Sequence, residues 1–310
     1  MSTLLAKLAD CQPKERGDLK KFFNWTDQQL DAELDRLVAQ GLRIGEQQNW
    51  LQLIPHLPLL NIEQLRQNLA PYPIHYQPII DSTNEFLLQH FEQLPKGALC
   101  LTEHQQAGRG RRGRQWQSPF AGQIILSFTW QVPQSRGLNG LSCVIALGVM
   151  HAFLELGLYG FQVKWPNDIL INERKLAGIL VEIVNNKNGQ FNLVVGIGMN
   201  VSLGVQQNIN QPWAEMHEFY SDVSREELIE QMVKSIYQYL QQFEQHGINA
   251  EWQQQWLEHD AFWSMPVNLI GERETISGIA QGIDENGYLQ LKTEQGIVKF
   301  NAGEVSLRKA

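Results

Sequence analysis

Residues 161–201 read "FQVKWPNDILINERKLAGILVEIVNNKNGQFNLVVGIGMNV". The stretch contains four strand-like runs of branched and aromatic residues, separated by polar residues and Pro166. Two further runs of this kind lie upstream, "GALCLTEH" from Gly97 and "QIILSFTW" from Gln123. Strands in this number, together with a few helical patterns, predict a mixed β-sheet covered by helices in an α+β protein.

Two long helices are predicted beside these strands. Residues 138–154, "LNGLSCVIALGVMHAFL", are nearly all apolar, but the run includes Asn139 and His151 and is just short of the ~18 residues that suggest a membrane span. We therefore interpret it as a buried helix of a soluble core. Residues 225–247 begin with a charged turn and end at Gly247, which is typical of a complete helix.

The N-terminal segment predicts three short helices followed by a β-hairpin. Apolar residues recur at helical spacing in three groups, which are Leu4, Leu5 and Leu8; Leu19, Phe22 and Phe23; and Leu30, Leu34, Leu37 and Val38. Thr26 is placed to cap the third helix, and the polar turn "GEQQN" separates the runs "LRI" and "WLQL". Three helices and a hairpin are the plan of a winged helix-turn-helix domain.

A proline-rich stretch and a change of period divide the chain into three domains. "IPHLPLL", residues 54–60, brings two prolines close together and predicts a linker. From about Met265 onward, short strands alternate with glycine-containing turns, which predicts a small β-barrel. Its strand-like runs are "PVNLIG", "ETISGIAQGID", "GYLQLKT" and "GIVKFNAGEVSLR". The predicted domains are residues 1–58, 59–263 and 264–310.

The composition limits the classes of partner and compartment. The chain has 310 residues, of which 43% are hydrophobic and 19% charged, as is typical of a folded globular protein. With a formal net charge of -8, the whole molecule repels a nucleic acid backbone, so an anion site must be local. The cysteines Cys11, Cys100 and Cys143 are widely spaced, which favours neither a disulfide framework nor a zinc site. Without a signal-peptide pattern either, the sequence predicts a protein of the reducing cytoplasm.

One loop combines glycines with four arginines. Residues 104–116 read "HQQAGRGRRGRQW", and the glycines match G-x-G-x-x-G. A dinucleotide fold is excluded because Pro119 and Gly122 interrupt the expected helix and no carboxylate follows until Glu155. The Gly-Lys-Ser/Thr end of a P-loop is also missing. Glycines between cations predict a loop that is mobile when empty and wraps an anion when occupied.

Five blocks of the sequence together resemble the signature of biotin protein ligases. They are "DSTNEFLL" (81–88), "HQQAGRGRRGRQWQSP" (104–119), "VKWPNDILIN" (163–172), "RKLAGILVE" (174–182) and "VGIGMNV" (195–201). The resemblance implies a central domain similar to class II synthetases, an N-terminal winged helix and a C-terminal SH3-like barrel. It also implies that biotin and Mg²⁺-ATP react to biotinyl-5'-AMP, and that biotin is then transferred to a lysine of the biotin carboxyl carrier protein of acetyl-CoA carboxylase.

The same resemblance assigns roles to residues of these blocks. The implied biotin contacts are Ser82, Thr83, Asn84, Gln105, Arg109, Gly110, Arg111, Lys175, Gly196 and Gly198. The implied ATP or adenylate contacts are Arg111, Trp116, Asn167, Lys175 and Asn200. The implied catalytic residues are Arg111, Lys175, Lys164 and Asp168. Arg111 would keep the adenylate from escaping, Trp116 would pack on the adenine ring and Asn200 would hydrogen-bond its edge.

Several of these residues have a second interpretation. Ser82 or Thr83 would cap a helix in any case, because Glu85 follows closely. Asp168 could contact Mg²⁺, orient Lys164 or only stabilise its own turn. A lysine in the apolar run at Lys175 needs a buried partner, for which an anionic ligand is the simplest choice. No side chain has to act as a covalent nucleophile, and the group that deprotonates the acceptor lysine stays open.

The N-terminal segment differs from the DNA-binding winged helix that the repressor-type members of the family have. Its third helix should read DNA, yet residues 26–40 carry four carboxylates and only Arg36 as a cation. We therefore expect operator binding to be weak or absent, or to depend on a dimer and on Lys20, Lys21, Gln28 and Gln29. The alternative is a domain that is kept for the stability of the ligase.

Two rival functions are considered. A lipoate ligase would share the catalytic core but generally lacks a "GRGRRG" block, and a ligand-sensing transcription factor would not need a full set of adenylation residues. The family resemblance also implies a homodimer through the central sheet and no membrane contact.

Overall fold

The structure is a computed structural model that describes residues 3–204, 212–271, 274–303 and 305–310. The remaining residues, 1, 2, 205–211, 272, 273 and 304, lie outside the description, so the domain ranges and the last predicted strand run are discussed without them. No helix in the described ranges combines the length and apolar character needed to cross a bilayer. All three cysteines are free thiols, in keeping with their spacing.

The N-terminal segment contains three helices and a three-stranded sheet, as the sequence pattern indicates. Its elements are α1 (Leu4–Leu8), β1 (Lys14–Glu15), α2 (Arg16–Phe23), α3 (Asp27–Ala39), β2 (Ile44–Gln47) and β3 (Trp50–Leu53). The strands are ordered β1-β3-β2 and pair antiparallel. The predicted cap is confirmed, because the Thr26 hydroxyl accepts a hydrogen bond from the Gln29 backbone N–H and Gln29 Oε1 accepts one from the Thr26 N–H.

Three details of this segment differ from the sequence-based prediction. Phe22 and Val38, which belong to the apolar spacing of the predicted helices, are 56% and 53% exposed, because helical spacing alone does not show where the apolar stripe ends. The hairpin turn is shorter than "GEQQN". Gln47 already pairs with Trp50, so only two residues turn the chain, and Gln48 takes a φ of 54°.

The central segment is built on one mixed sheet of seven strands. Its elements are α4 (Ile62–Asn68), β4 (Ile74–Tyr76), β5 (Ile79–Ile80), α5 (Thr83–His90), β6 (Leu99–Thr102), β7 (His104–Gln105), β8 (Gln123–Pro133), α6 (Leu141–Glu155), β9 (Phe161–Lys164), β10 (Asp168–Ile171), β11 (Arg174–Lys187), β12 (Gln190–Asn200), α7 (Arg225–His246) and α8 (Ala250–His259). The strand order is β4-β6-β8-β12-β11-β10-β9, and β4 and β6 are parallel. The mixed sheet and both predicted long helices are confirmed.

The two faces of this sheet have different neighbours. Successive side chains on a strand point to opposite faces. On β8, Leu126 and Phe128 enter the main core, which α6 and α7 complete. Ser127 lies between them on β8 and points to the opposite face of the sheet. Leu87 of α5 and Phe91, which follows α5, pack on this face. Thr83 and Asn84, which belong to the first signature block, contact Ser127 on this second face.

The C-terminal segment is a five-stranded antiparallel sheet. Its strands are β13 (Pro266–Ile270), β14 (Thr275–Ile283), β15 (Leu289–Thr293), β16 (Gly296–Phe300) and β17 (Ser306–Lys309), in the order β16-β15-β14-β13-β17. Within the described residues β16 and β17 do not pair, so a closed barrel is not observed. The Trp165 indole N–H donates to the Gly287 carbonyl at 3.0 Å and fixes this sheet to the central one.

A buried ion pair joins the linker to the central sheet. Arg225, at the start of α7, is 3% exposed, and Glu103, beside β6, is fully buried. Arg225 Nη1 lies 2.6 Å from Glu103 Oε2, and its Nη2 donates to the Pro58 carbonyl. Glu103 Oε1 in turn accepts from the Leu60 N–H at 2.7 Å. The pair therefore organises the backbone of the predicted linker.

We expect Arg225→Met to lower the free energy of unfolding by about 3–5 kcal/mol, because it leaves the Glu103 carboxylate buried without a counterion. Urea denaturation at neutral pH measures this loss. Lys187→Ala is the matched control, since Lys187 and Glu92 are both exposed and 3.5 Å apart, and it should cost at most about 1 kcal/mol. Equal losses for the two variants would contradict the structural role of the buried pair.

Asp260 lies where the central segment passes into the C-terminal sheet. Its carboxylate accepts hydrogen bonds from Trp256 Nε1 and the Phe262 N–H, while the Ala261 N–H donates to the Val163 carbonyl at the free edge of β9. Burial raises the pKa of Asp260 from 3.8 to about 6. The folded protein therefore holds this proton more tightly than the unfolded chain does.

The stabilisation from protonated Asp260 is full below about pH 4 and is lost as the pH rises through about 6. We expect the difference in unfolding free energy between wild type and Asp260→Asn to fall by about 2–3 kcal/mol between pH 4 and pH 7. The lost hydrogen bond of the amide adds an offset that does not depend on pH. Denaturation curves across this range measure the difference, and a constant value would contradict the expected titration.

Candidate active site

One cleft collects the side chains of all five blocks. It has an empty volume of about 1100 Å³ and opens to solvent between the central sheet and the arginine-rich loop. Every biotin, adenylate and catalytic candidate from the sequence lines this cleft, except Asn200. The described lining carries seven cations, Arg109, Arg111, Arg112, Arg114, Lys164, Lys175 and Arg308, and Asp168 as its one carboxylate. The cleft is therefore a positive site in a negatively charged protein.

One end of the cleft is a buried network of neutral polar groups at the start of α5. Gln105 Oε1 accepts from the Thr83 N–H at 2.8 Å and from the Thr83 hydroxyl at 3.1 Å, which leaves its Nε2 free to donate. Ser127 donates to Asn84 Oδ1, and Asn84 Nδ2 donates to Glu182 Oε2 at 2.6 Å. These amides and hydroxyls can bind a neutral group with donors and acceptors.

Ser82 caps a helix and also lines the cleft. Its hydroxyl accepts from the Glu85 N–H at 3.4 Å and caps α5, and the residue also lines the cleft. The capping interpretation is confirmed, and it does not compete with exposure to a ligand.

The arginine-rich loop crosses the cleft and is held at both sides. Arg109 lies 3.0 Å from Glu85 and 3.4 Å from Glu182, next to the polar network. At the other side, Arg111 Nη1 donates to Asn167 Oδ1 at 3.0 Å, and its Nη2 donates to the Gly303 carbonyl at 2.8 Å. The loop thereby connects the α5 region with the C-terminal sheet and forms the roof of the cleft.

Lys175 and Asp168 form the charged centre of the floor. Lys175 Nζ lies 2.6 Å from Asp168 Oδ1, and both side chains are largely buried. The partner of this lysine in the structure is thus a carboxylate of the protein rather than a ligand. Lys164 lies nearby, and burial lowers its pKa, although the Asp168 carboxylate acts in the opposite direction. An anion that enters here meets cations that are already in place.

The glycines of the floor make room for protein side chains. Gly178 on β11 and Gly198 on β12 are register partners, and together they leave a bare patch on the sheet. The indole of Trp116 covers this patch, since a Cβ on Gly198 would lie 2.5 Å from its ring. In the same way, the space above Gly196 holds the Asn84 amide. Gly196 and Gly198 thus leave room for the Asn84 and Trp116 side chains, which line the cleft.

The comparisons agree with this geometry. Residues 76–200 match the Biotin/lipoate A/B protein ligase family, and residues 266–308 match the Biotin protein ligase C terminal domain. The chain is 38% identical to the bifunctional ligase/repressor BirA of Escherichia coli over 258 residues, which are 82% of this chain and 80% of that protein. The chain belongs to the biotin protein ligase family. It is also 37% identical to the Salmonella typhimurium BirA over 99% of this chain and 97% of that one.

A solved structure has the same fold. Biotin protein ligase from Aquifex aeolicus, in complex with biotin and ATP, matches with a TM-score of 0.67 at 29% identity. The match covers 77% of this chain and 99% of the other. The resemblance of the five blocks to biotin protein ligases is thus confirmed, and the similarity extends over most of the chain.

Several residues of this cleft and its wall were not among the candidates from the sequence, and four of them are polar groups with a clear place in it. Arg308 and Ser127 line the cleft, and Glu182 and Gln123 hold lining residues from behind. A motif search could have included Glu182, which ends "RKLAGILVE". Arg308 comes from β17, far from the blocks in sequence, so only the docking of the C-terminal sheet shows it.

Asn200 is not brought to the surface of the cleft. It is 3% exposed, and its Nδ2 donates to the Ala214 carbonyl at 3.0 Å and to the Lys175 carbonyl at 3.5 Å. Its Oδ1 accepts from Gln123 Nε2 at 2.8 Å. The hydrogen-bonding groups of this amide are therefore used within the protein.

The candidates for DNA contact lie on α2 and α3. They are Lys20, Lys21, Gln28 and Gln29. Lys20 Nζ lies 2.8 Å from Asp27 Oδ1, and the Gln29 side chain belongs to the cap at Thr26. The other two side chains are exposed. Half of this candidate set is thus already engaged within the domain.

Proposed function

We propose that this biotin protein ligase activates biotin with ATP to biotinyl-5'-AMP in the cleft and then transfers biotin to a lysine of a carrier protein. The chain is an ATP-dependent ligase of its family. The observation that carries the proposal is the arrangement of the cleft, with neutral amides beside Arg109 at one end and the other six cations of the described lining around the rest. Biotin has a neutral ureido group and a carboxylate, and ATP supplies the anionic partner, so each reactant has a matching end.

The first step would take place at the junction of the two ends. The biotin carboxylate attacks the α-phosphorus of ATP, a P–O bond to pyrophosphate breaks, and the mixed anhydride forms. Negative charge shifts onto the phosphate oxygens during this step, so positioned cations lower the barrier. Lys175, Lys164 and Arg111 surround the place where the carboxylate end would lie. The salt bridge to Asp168 fixes Lys175 before the substrates bind, and hydrogen bonds to Asn167 and the Gly303 carbonyl fix Arg111.

The second step would transfer the biotinyl group to an incoming lysine amine. The acceptor nitrogen attacks the acyl carbon, and AMP leaves with the bonding electron pair. The described lining contains no cysteine, so a covalent enzyme intermediate through a thiol is not part of the proposal. The roof formed by the arginine-rich loop would exclude water, which otherwise hydrolyses the anhydride. Either the Asp168 carboxylate or the phosphate would take up the proton of the amine.

The donor set of the cleft fits Mg²⁺ that enters with ATP. Among the described residues no cluster of three His, Cys, Asp or Glu side chains could hold a metal by itself. Mg²⁺ in nucleotide sites is usually held by one or two carboxylates together with substrate phosphates. Asp168 would be that carboxylate, and the ion would neutralise charge on the phosphates.

We also propose the finer domain arrangement. The N-terminal helices and hairpin would form a winged helix-turn-helix domain over residues 1–58, followed by a class II synthetase-like catalytic domain over residues 59–263. The C-terminal sheet would be an SH3-like barrel over residues 264–310. Dimerisation through the central sheet is supported by Ile183 on β11, a large apolar side chain that is 58% exposed. Sedimentation at micromolar concentration tests the dimer.

Operator binding is the second function to consider, because two relatives are named ligase/repressor. Three of the four carboxylates of α3, Asp27, Asp31 and Glu33, form ion pairs within the domain. Arg16 pairs with Asp31 and lies 2.7 Å from Glu46, and Arg36 pairs with Glu33. Cations engaged in this way release fewer counterions from DNA. We therefore propose weak or absent operator binding, and a mobility shift with its own biotin promoter, biotin and ATP tests it. Salt-sensitive nanomolar binding would overturn this proposal.

A carrier-protein assay tests the ligase proposal as a whole. The protein is incubated with biotin, Mg²⁺-ATP and a purified biotin carboxyl carrier domain, and the carrier is analysed by mass spectrometry. We expect one biotinyl group on one lysine. Modification by lipoate in place of biotin would support the rival lipoate ligase and contradict the proposed substrate.

A further inference from the structure

The first residue of β8 lies behind the wall of the cleft and contacts two of its candidate residues. Gln123 is 1% exposed. Its Oε1 accepts from the Trp116 indole N–H at 3.2 Å, and its Nε2 donates to Asn200 Oδ1 at 2.8 Å. One buried amide thus links the loop that covers the cleft to the strand that forms its floor.

Only one orientation of these two amides satisfies the network. The carbonyls of Ala214 and Lys175 can only accept, so Asn200 must direct its Nδ2 to them. Its Oδ1 then needs a donor, which is Gln123 Nε2. The remaining Gln123 oxygen faces the indole N–H, which can only donate. The chain of hydrogen bonds is complete, and reversing any amide would oppose two like groups.

The Trp116 ring lies on two glycines, and a residue with a Cβ at Gly198 would collide with the ring. It covers Gly178 and Gly198, and a Cβ on Gly198 would lie within 2.8 Å of three ring atoms, including Nε1. Glycine on both strands allows the ring to approach closely. However, these two glycines have no side chains that would keep the ring from sliding within its own plane. The hydrogen bond to Gln123 supplies the missing restraint in the plane of the ring.

Gln123 itself is anchored from the opposite side. Its carbonyl accepts from Arg225 Nη1 at 3.1 Å, and the same guanidinium forms the buried pair with Glu103. The residue is also the register partner of Asn200 between β8 and β12. Because the backbone of Gln123 is fixed, its side chain can hold the Trp116 indole in place.

We propose that Gln123 is a positioning residue for the nucleotide subsite, which holds the Trp116 indole flat on the glycine patch so that its outer face can stack on a purine base. This inference rests on the proposed function, which places ATP in this cleft. In the network, Asn200 fixes the orientation of Gln123. The biotin end, built from other residues, does not depend on Gln123.

Steady-state adenylation kinetics of Gln123→Leu test the proposal. The variant removes both hydrogen bonds and leaves the indole free to tilt, so we expect the KM for ATP to rise about tenfold and the KM for biotin to change less than twofold. Gln131→Leu is the matched control. Gln131 and Asn192 form the same amide pair, at 3.1 Å, between the same two strands, but away from Trp116. This control should keep both constants near the wild-type values.

Two further variants separate positioning from a loss of folding. Gln123→Glu keeps the acceptor for Trp116 but opposes a carboxylate to Asn200 Oδ1, and it should raise the KM for ATP in the same selective way. In a Trp116→Phe background, which lacks the indole N–H, Gln123→Leu should add less than a threefold change. An unchanged KM for ATP, or equal rises for ATP and biotin, would overturn the proposal. A wild-type protein without biotin-dependent adenylation would instead contradict the proposed function.

Discussion

Lys175→Ala is expected to form biotinyl-5'-AMP about 10²- to 10³-fold more slowly than the wild type, which is the effect of removing one preorganised charged donor from a transition state. Lys175 Nζ is fixed at 2.6 Å from Asp168 on the floor of the cleft. Because the ammonium is in place before the substrates bind, no reorganisation is needed when charge develops on the phosphate. Single-turnover formation of the adenylate, measured with radiolabelled ATP, reports this rate directly.

The lost salt bridge has to be separated from the lost catalytic charge. In Lys175→Ala the Asp168 carboxylate stays without its partner, so the double variant Lys175→Ala, Asp168→Asn removes both charges. If Lys175 only neutralises Asp168, the double variant regains most of the activity, and that outcome would contradict the catalytic role. Lys187→Ala, on the exposed end of the same strand, should adenylate biotin at the wild-type rate.

Arg111→Gly is expected to release the adenylate into solution roughly 10- to 100-fold faster, since hydrogen bonds to a charged group are worth about 1.5–3 kcal/mol. Arg111 donates to Asn167 at one wall and to the Gly303 carbonyl of the C-terminal segment. Its loss opens the roof of the cleft where the phosphate would lie. Free adenylate acylates any lysine, so the variant should biotinylate a bystander protein such as serum albumin.

A neighbouring substitution controls for the flexibility that glycine adds. Arg112 already has a φ of 58°, a conformation that glycine adopts without strain, so Arg112→Gly changes the same loop at little conformational cost. We expect it to label the bystander protein much less than Arg111→Gly does. Strict selectivity of Arg111→Gly for the carrier lysine would contradict the retention of the adenylate by this arginine.

The sequence predicted those parts of the structure that local chemistry determines. Thr26 caps its helix, Gly247 ends α7, and the strand-like runs between Gly97 and Val201 form the central sheet. The resemblance of the five blocks to a known family predicted residues that line one cleft, on one face of the sheet.

Contacts between distant parts of the chain could not be predicted in this way. The pairing of Lys175 with Asp168 depends on the register of β10 and β11, which has a bulge between Ile169 and Leu170. The place of Arg308 in the cleft depends on how the C-terminal sheet docks. A glutamine such as Gln123 carries no motif, and only its buried hydrogen bonds show its role.

The N-terminal segment shows the same limit. Its charge suggested that α3 is acidic and repels DNA, but the sequence did not show that Arg16 lies between Asp31 and Glu46. The structure replaces an argument from net charge by one from paired charges. Both arguments support the proposal of weak operator binding, for different physical reasons.

Biotin-dependent exchange of pyrophosphate into ATP tests the central claim most directly, because it needs only the cleft and its two substrates. The account predicts exchange with biotin and Mg²⁺-ATP, no exchange without biotin and none when lipoate replaces it. Lys175→Ala should reduce the exchange about 10²- to 10³-fold. Exchange that is absent with biotin, or supported equally by lipoate, would contradict the assignment of this cleft to biotin adenylation.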